Sequence, residues 1–389
     1  MSAADIAIPQ AEHYNKIIKT LQTKVKVDKM KIKLLGEPKI IMSNPDSRNN
    51  YFAWPSVARL QNGKLAVTAS GYRYEHVCPF GKSVISYSED DGNSYTLPAA
   101  CIDTPLDDRD TGILAFGKSG VLVTSFNNNV AFQRAWRASI PAFFDAYLDT
   151  VTPEDENKYL GSEFRISQDC GVTFGPIFKS PITSPHGPIE LSDGTILWVG
   201  RTFYSGADFI SGKEQIEVHT VSPDGTMKRI GTVPPIFRNG KPPISCEPYA
   251  LELPDGTILC HIRVEGEGLF TLYQSISRDK GVTWSEPEQI LEDRGGAPAH
   301  LLRHSSGILI SVYGYRDRPF GIKAMFSRDN GKTWDTGYRL YQNEYTDDLG
   351  YPCTVELDDG TLLTVFYAHP ESKGPAVILQ QKWTFECTD

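Results

Sequence analysis

The sequence predicts an all-β chain folded as a six-bladed β-propeller, with a helical insertion at about residues 131–159. Three observations point there: a turn motif that returns along the chain, a hairpin pattern that returns at blade-sized intervals, and a composition suited to short strands. Aromatic residues make up 11% of the 389 residues, with 33 Gly and 26 Pro, the mixture that joins many short strands through tight turns.

The turn motif has the form Ser-x-Asp-x-Gly-x-Thr-aromatic. It reads SEDDGNSY from Ser88 to Tyr95, SQDCGVTF from Ser167 to Phe174, SRDKGVTW from Ser277 to Trp284 and SRDNGKTW from Ser327 to Trp334. A degenerate SPDGT begins at Ser222. The Asp side chain can bond the turn amides, Gly accepts positive φ, and the aromatic residue packs into the blade.

The hairpin pattern is an apolar strand, a turn ending in Gly, and a second apolar strand. Its copies are VARLQNGKLAV, ILAFGKSGVLV, IELSDGTILWV, LELPDGTILCH, LLRHSSGILIS and VELDDGTLLTV. Their glycines, Gly63, Gly120, Gly194, Gly256, Gly307 and Gly360, lie 51 to 74 residues apart, the length of one four-stranded blade with its loops. The chain after Gly360 holds only about three strands, so a strand near Lys31–Ile41 is expected to complete the last blade and close the ring, which removes exposed sheet edges. The expected organisation is an N-terminal extension over 1–30 and a single propeller domain over 31–389. In the insertion, the aromatic and apolar spacing of AFQRAWRASIPAFFDAYL reads as helical.

Composition also sets what is not expected. A net charge of −9 argues against a nucleic acid held by bulk electrostatics. Seven cysteines without a CxxC pair imply neither structural zinc nor a disulfide framework. Residues 1–32 hold no apolar stretch of signal-peptide length, and no run approaches a membrane span, so cytoplasmic residence without membrane contact is the expectation. No cofactor is expected. Asp107-Asp108-Arg109-Asp110 offers oxygen ligands of the kind Ca²⁺ accepts, but the embedded arginine favours an Asp–Arg network.

The repeat also locates the propeller mouth. Residues opening the first strand of each blade are Trp54, Asp110, His186, Glu247, His300 and Tyr351. Residues leaving the second strand include Arg73, Arg201, Arg263, Tyr315, Arg316 and Tyr367. Such a concentration of titratable groups points to a ligand site.

The Ser-x-Asp-x-Gly-x-Thr-Trp boxes and the sixfold count resemble the sialidase superfamily, where they are known as Asp-boxes or BNR repeats. The resemblance spans about residues 40–385. It implies that the boxes are structural and that the site lies on the opposite face. It also implies a Tyr nucleophile paired with Glu, an acid/base Asp, and three arginines on the substrate carboxylate. Glu247 and Arg263, on either side of a DG turn, and Tyr351 in LGYPC match that pattern. Ala53-Trp54-Pro55 departs from it by lacking the first clamp arginine, and Ala297-Pro298-Ala299-His300 by lacking the third. Asp110 is the candidate acid, with Arg109 beside it. The resulting expectation is an exo-acting glycosidase on a terminal acidic sugar of a glycan.

The departures suggest two alternatives. His76, His186 and His300 suit an acid–base enzyme near neutral pH. That is similar to sialidase-fold lyases that cleave rhamnose from glucuronate, with an arginine neutralising the uronate. A non-catalytic glycan-binding module, using aromatic platforms such as Trp54, is the other.

Overall fold

In the computed structural model, residues 29–136, 141–203 and 215–387 are described. The bulk of the expected N-terminal extension, residues 1–28, lies outside them, as do 137–140 of the insertion and 204–214. The chain divides into two compact units, Lys33–Thr384 and a small one made of Met1–Ile32 with Phe385–Asp389. In the small unit, the sulfurs of Met30 and Cys387 lie 3.7 Å apart.

The large unit is a six-bladed β-propeller, as the repeat predicts. Blade 1 runs through Tyr51–Arg59, Leu65–Arg73, Lys82–Ser88 and Ala99–Ile102, and blade 2 through Ile113–Phe116, Gly120–Phe126, Ser162–Ser167 and Phe178–Ser180. Blade 3 has a split first strand, Ile182–Thr183 and Ile189–Glu190, before Ile196–Thr202, Ile216–Val221 and Met227–Thr232. Blade 4 comprises Ile244–Glu252, Ile258–Gly266, Leu269–Ser277 and Glu288–Gln289; blade 5 comprises Ala299–Arg303, Leu309–Tyr315, Phe320–Ser327 and Asp335–Asn343. Blade 6 joins Gly350–Glu356, Leu362–Ala368 and Val377–Cys387 to Lys39–Met42 from the start of the chain, with Lys39 opposite Gln380.

No blade buries its apolar faces alone. Val67 and Ala69 of blade 1 share a core cluster with Cys353 and Val365 of blade 6, and Leu197 of blade 3 shares one with Cys260 of blade 4. Burial therefore accumulates blade against blade, the logic of repeat architectures.

The four boxes form one recurrent turn. Asp90 accepts from Ser94 N at 2.7 Å, and Asp169, Asp279 and Asp329 accept likewise from Thr173, Thr283 and Thr333 at 2.8–2.9 Å. Asp91, Cys170, Lys280 and Asn330 have φ of 52° to 60°, and the glycine after each is also left-handed. Because Leu65 pairs with Ser88 while Gly71 pairs with Lys82, the box sits at the end of the blade away from Arg73. The mouth is thus the opposite face.

The insertion is helical: α1 (Val130–Ala135), α2 (Ala142–Leu148) and α3 (Pro153–Tyr159). Asn129 caps α1 by accepting from Phe132 N, and Thr152 with Asp155 forms a capping box on α3. Phe143 and Phe144 of α2 pack edge-on against Tyr74, with ring centroids 5.3 and 5.4 Å away. Gln133 of α1 donates to Asp107 at 2.8 Å.

Candidate active site

Four blades open on a non-glycine residue in the left-handed region: Trp54 at φ 54°, Asp110 at 48°, Glu247 at 51° and Tyr351 at 51°. Such a conformation costs on the order of 1–3 kcal/mol at each position and persists where the surroundings enforce it. Strand register skips at Ala53/Ser56, Cys246/Tyr249 and Gly350/Cys353, so each bulge turns its side chain out of the strand and toward the axis. Trp54, Asp110, Glu247 and Tyr351 consequently line one cavity of about 240 Å³. A signal for this was present in the chain. Pro55, Pro248 and Pro352 directly follow three of the four residues, and the recurrence marks the bulge.

Within the cavity the Tyr351 hydroxyl donates to Glu247 Oε1 at 2.5 Å. Arg263 Nη1 reaches Glu247 Oε2 at 2.7 Å and the Tyr351 oxygen at 3.2 Å, while its Nη2 reaches Glu265 at 2.6 Å. Burial and then the Glu247 carboxylate push the Tyr351 phenol well above the usual tyrosine value, with Arg263 pulling the other way. Burial opposes the Arg263 charge, but Glu247 and its other anionic neighbours outweigh it and hold the proton firmly.

Asp110 is buried, and its Oδ1 has no hydrogen-bond partner among the described residues. Burial raises its carboxyl to about 7; Arg109 opposes this and Glu247 reinforces it. Near neutral pH it therefore exchanges a proton readily. Arg109, Arg201, Arg263 and Arg316 all line the same cavity, whose carboxylates besides Asp110 are Glu247 and Glu265. Arg109 lies over the Trp54 ring at 4.1 Å and donates to the His76 carbonyl at 2.8 Å. Arg316 Nε donates to the Leu349 carbonyl at 3.2 Å.

Five expected residues are placed elsewhere. Arg73 is fully buried behind Trp54, its guanidinium 4.9 Å from that ring and 2.6 Å from Asp107 Oδ1, so the acidic run forms an Asp–Arg network. Tyr315 faces away, with the Lys323 ammonium 3.1 Å above its ring, because strand alternation turns Arg316 inward instead. Tyr367 is buried and donates to Asp348 at 2.9 Å.

His186 and His300 lie outside the cavity lining and pack on each other, ring centroids 5.4 Å apart. His186 sits in the break of the split first strand of blade 3, its Nδ1 3.0 Å from Ser56 Oγ. His300 lies in the regular part of its strand, opposite Val312, stacked on Tyr249 at 4.4 Å between centroids. His300 has no bulge to turn it into the cavity, and His186, although it lies in a register break, is held by Ser56 and Tyr249 instead. Burial lowers His186 to about 3 and holds His300 well below the ordinary histidine value, so both stay neutral.

His76 does line the cavity. Its Nδ1 is 3.0 Å from Asp348 Oδ1. Asp348 was not singled out from the sequence, yet its carboxylate also accepts from Tyr51 at 2.8 Å and meets His369 Nε2 at 3.0 Å. Burial would raise this carboxyl, but the hydrogen bonds from His369, His76 and Tyr51 hold it far below the usual range. Glu265, Phe132 and Trp136 are further wall residues that the repeat did not indicate, the last two supplied by the insertion.

Comparison with known proteins agrees with the repeat. Residues 115–365 match the model of the BNR repeat-like domain. The chain belongs to the BNR repeat-like family. No curated protein matches this BNR repeat-like chain in sequence. Among solved structures it is similar to a protein of unknown function from Dyadobacter fermentans DSM 18053, at 22% identity and a TM-score of 0.72, covering 91% of this chain and 99% of that one. The intramolecular trans-sialidase from Ruminococcus gnavus matches with 13% identity and a TM-score of 0.60, over 89% of this chain and 96% of that one. The α-L-arabinanase from Penicillium chrysogenum matches with 14% identity and a TM-score of 0.59, over 90% and 98%. At these identities the likeness is one of fold, and function has to be argued from the BNR repeat-like site itself.

Proposed function

We propose that this chain is an exo-acting glycoside hydrolase that removes a terminal acidic sugar through a covalent Tyr351–sugar intermediate. The observation that carries the reading is the Tyr351–Glu247–Arg263 array, hydrogen-bonded at 2.5 and 2.7 Å inside a cavity lined by four guanidinium groups. Arginine forks suit a sugar carboxylate, and a neutral phenol avoids the repulsion that a carboxylate nucleophile would meet from an anionic substrate. Arg109, stacked on Trp54, supplies positive charge beside the position where the first clamp arginine is missing.

In the first step the Tyr351 oxygen bonds to the anomeric carbon as its proton passes to Glu247. The glycosidic C–O bond breaks, and Asp110 delivers its proton to the leaving oxygen. Arg263 stabilises the developing negative charge on the phenol oxygen. In the second step water attacks the same carbon, Asp110 takes its proton, and Tyr351 leaves and recovers its proton from Glu247. The cavity, at about 240 Å³, is smaller than the roughly 300–1,000 Å³ of sites for drug-sized ligands, which supports holding a single terminal sugar. The trans-sialidase and arabinanase of similar fold are sugar-active proteins by name, in keeping with this reading.

The test is a panel of glycans ending in sialic or uronic acids, read for the released acidic monosaccharide. Release of that sugar, without near-ultraviolet absorbance, is the expected result. An unsaturated uronate absorbing there would establish elimination instead. Release of neutral sugars alone would overturn the acidic-substrate assignment.

A further inference from the structure

The cavity wall is shared. His76, Val77 and Trp136 line both the cavity and a second groove of about 550 Å³, whose other walls include Tyr74, Glu75, Asp348, His369 and Lys373. We propose that this groove is the leaving-group subsite, and that it holds a neutral second sugar of an acid-terminated oligosaccharide. The inference rests on the acidic-sugar reading above and extends it to the part of the substrate that departs.

Continuity is the first argument. A leaving group must stay beside the proton donor and extend from the closed cavity toward solvent. Arg109, the neighbour of Asp110, donates to the backbone carbonyl of His76, the residue common to both spaces.

The second argument is the aromatic surface. Large aromatic side chains are normally covered, yet Tyr74 is 38% exposed and Trp136 is 55% exposed, and both border the groove. Both are held from behind. Tyr74 packs on Phe143 and Phe144, and Trp136 packs on Phe132 at 5.5 Å between centroids. Pre-positioned aromatic faces suit the apolar C–H face of a pyranose and lose little freedom on binding.

Charge is the third. Four guanidinium groups line the inner cavity, whereas the wall of the groove has no arginine among the described residues. The Asp348 carboxylate there is already occupied by Tyr51, Tyr367, His76 and His369. The remaining charged groups on the wall, Glu75 and Lys373, are of opposite sign. The groove therefore favours a neutral polar ligand over an anion.

The experiment is calorimetric titration of the full chain carrying Tyr351→Phe, which blocks turnover. The probes are N-acetylneuraminic acid against 3′-sialyllactose, D-glucuronic acid against a glucuronate-terminated trisaccharide, and lactose alone. For the acid that binds, the trisaccharide is expected to bind about tenfold tighter than the monosaccharide. Adding Trp136→Ala or Tyr74→Ala brings that ratio toward one. Trp136 is largely exposed, so its replacement serves if the Tyr74 variant fails to fold. Equal affinity of monosaccharide and trisaccharide would overturn the subsite and leave the acidic-sugar reading standing. Lactose binding as tightly as the trisaccharide, with neither acidic monosaccharide bound, would overturn both. So would binding of none of the acidic probes.

Discussion

Tyr351 and Glu247 stand 104 residues apart in the chain and in different blades, yet the phenol of one donates to the carboxylate of the other across 2.5 Å. Both opening positions are left-handed bulges, and Arg263 touches both. The two side chains are thus aimed at one point by equivalent distortions of two blades.

Removing the phenol oxygen tests that relationship directly. Tyr351→Phe is expected to lower kcat by at least about 10³-fold, because the nucleophile is lost while Arg263 still holds Glu247. Glu247→Gln is expected to lower it about 10²–10⁴-fold, as the proton acceptor is lost. Steady-state kinetics on the best substrate of the panel, with circular dichroism to confirm folding, decides the matter. Activity equal to the parent in Tyr351→Phe would end the covalent mechanism.

Asp110 sets a pH limit. As proton donor it must carry its proton, and its carboxyl is raised to about 7, so kcat/KM should fall as pH rises through that value. The stability consequence has a definite sign. Against an unfolded value of about 3.9, the folded protein holds the proton more tightly. That stabilisation is complete below about pH 4 and is lost as pH rises through about 7. Asp110→Asn, which also tolerates a left-handed φ, should remove the alkaline limb together with most activity. It should also raise stability relative to the parent at pH 9 by up to about 4 kcal/mol, with no such gain at pH 4. Urea midpoints at the two pH values measure this.

Arg316 offers a test of substrate charge. Its replacement by Ala should reduce kcat/KM on an acidic substrate about 10²-fold, the loss typical of one preorganised donor. The methyl ester of the same sugar, which has no anion to bind, should be affected much less. An equal loss on acid and ester would show that Arg316 acts through packing against Tyr351 and Phe270.

Asp107 is a matter of stability. Its carboxylate and the Arg73 guanidinium are both fully buried and lie 2.6 Å apart. Asp107→Asn leaves that charge without its anion and should cost about 3–5 kcal/mol in chemical denaturation. The double variant Arg73→Met, Asp107→Leu should recover much of the loss, since a well-packed apolar pair can replace a buried ion pair.

The blade count was legible in the chain because each blade is a local unit. Its hairpin glycines and Asp-box turns are decided by neighbours a few residues away, and their spacing survives in the order of residues. Trp54, Glu247 and Tyr351 were legible for the same reason, since each opens a repeat. Local pattern could not say which side chain of a pair faces inward. Tyr315 and Arg316 both leave the second strand of blade 5, and only the pleat set against its neighbours turns the arginine into the cavity. Nor could spacing show that His300 opens its blade without a bulge, or that His186 turns from a strand break onto Ser56 and Tyr249, so that neither lines the cavity. Asp348 lies 272 residues from His76, and the contact between them exists only because the ring closes blade 6 against blade 1. The periodic part of this protein is written in local sequence, as is the Glu247–Arg263 pair within one blade; the contact of Tyr351 with that pair is made only by the tertiary structure, which brings different blades within hydrogen-bonding distance.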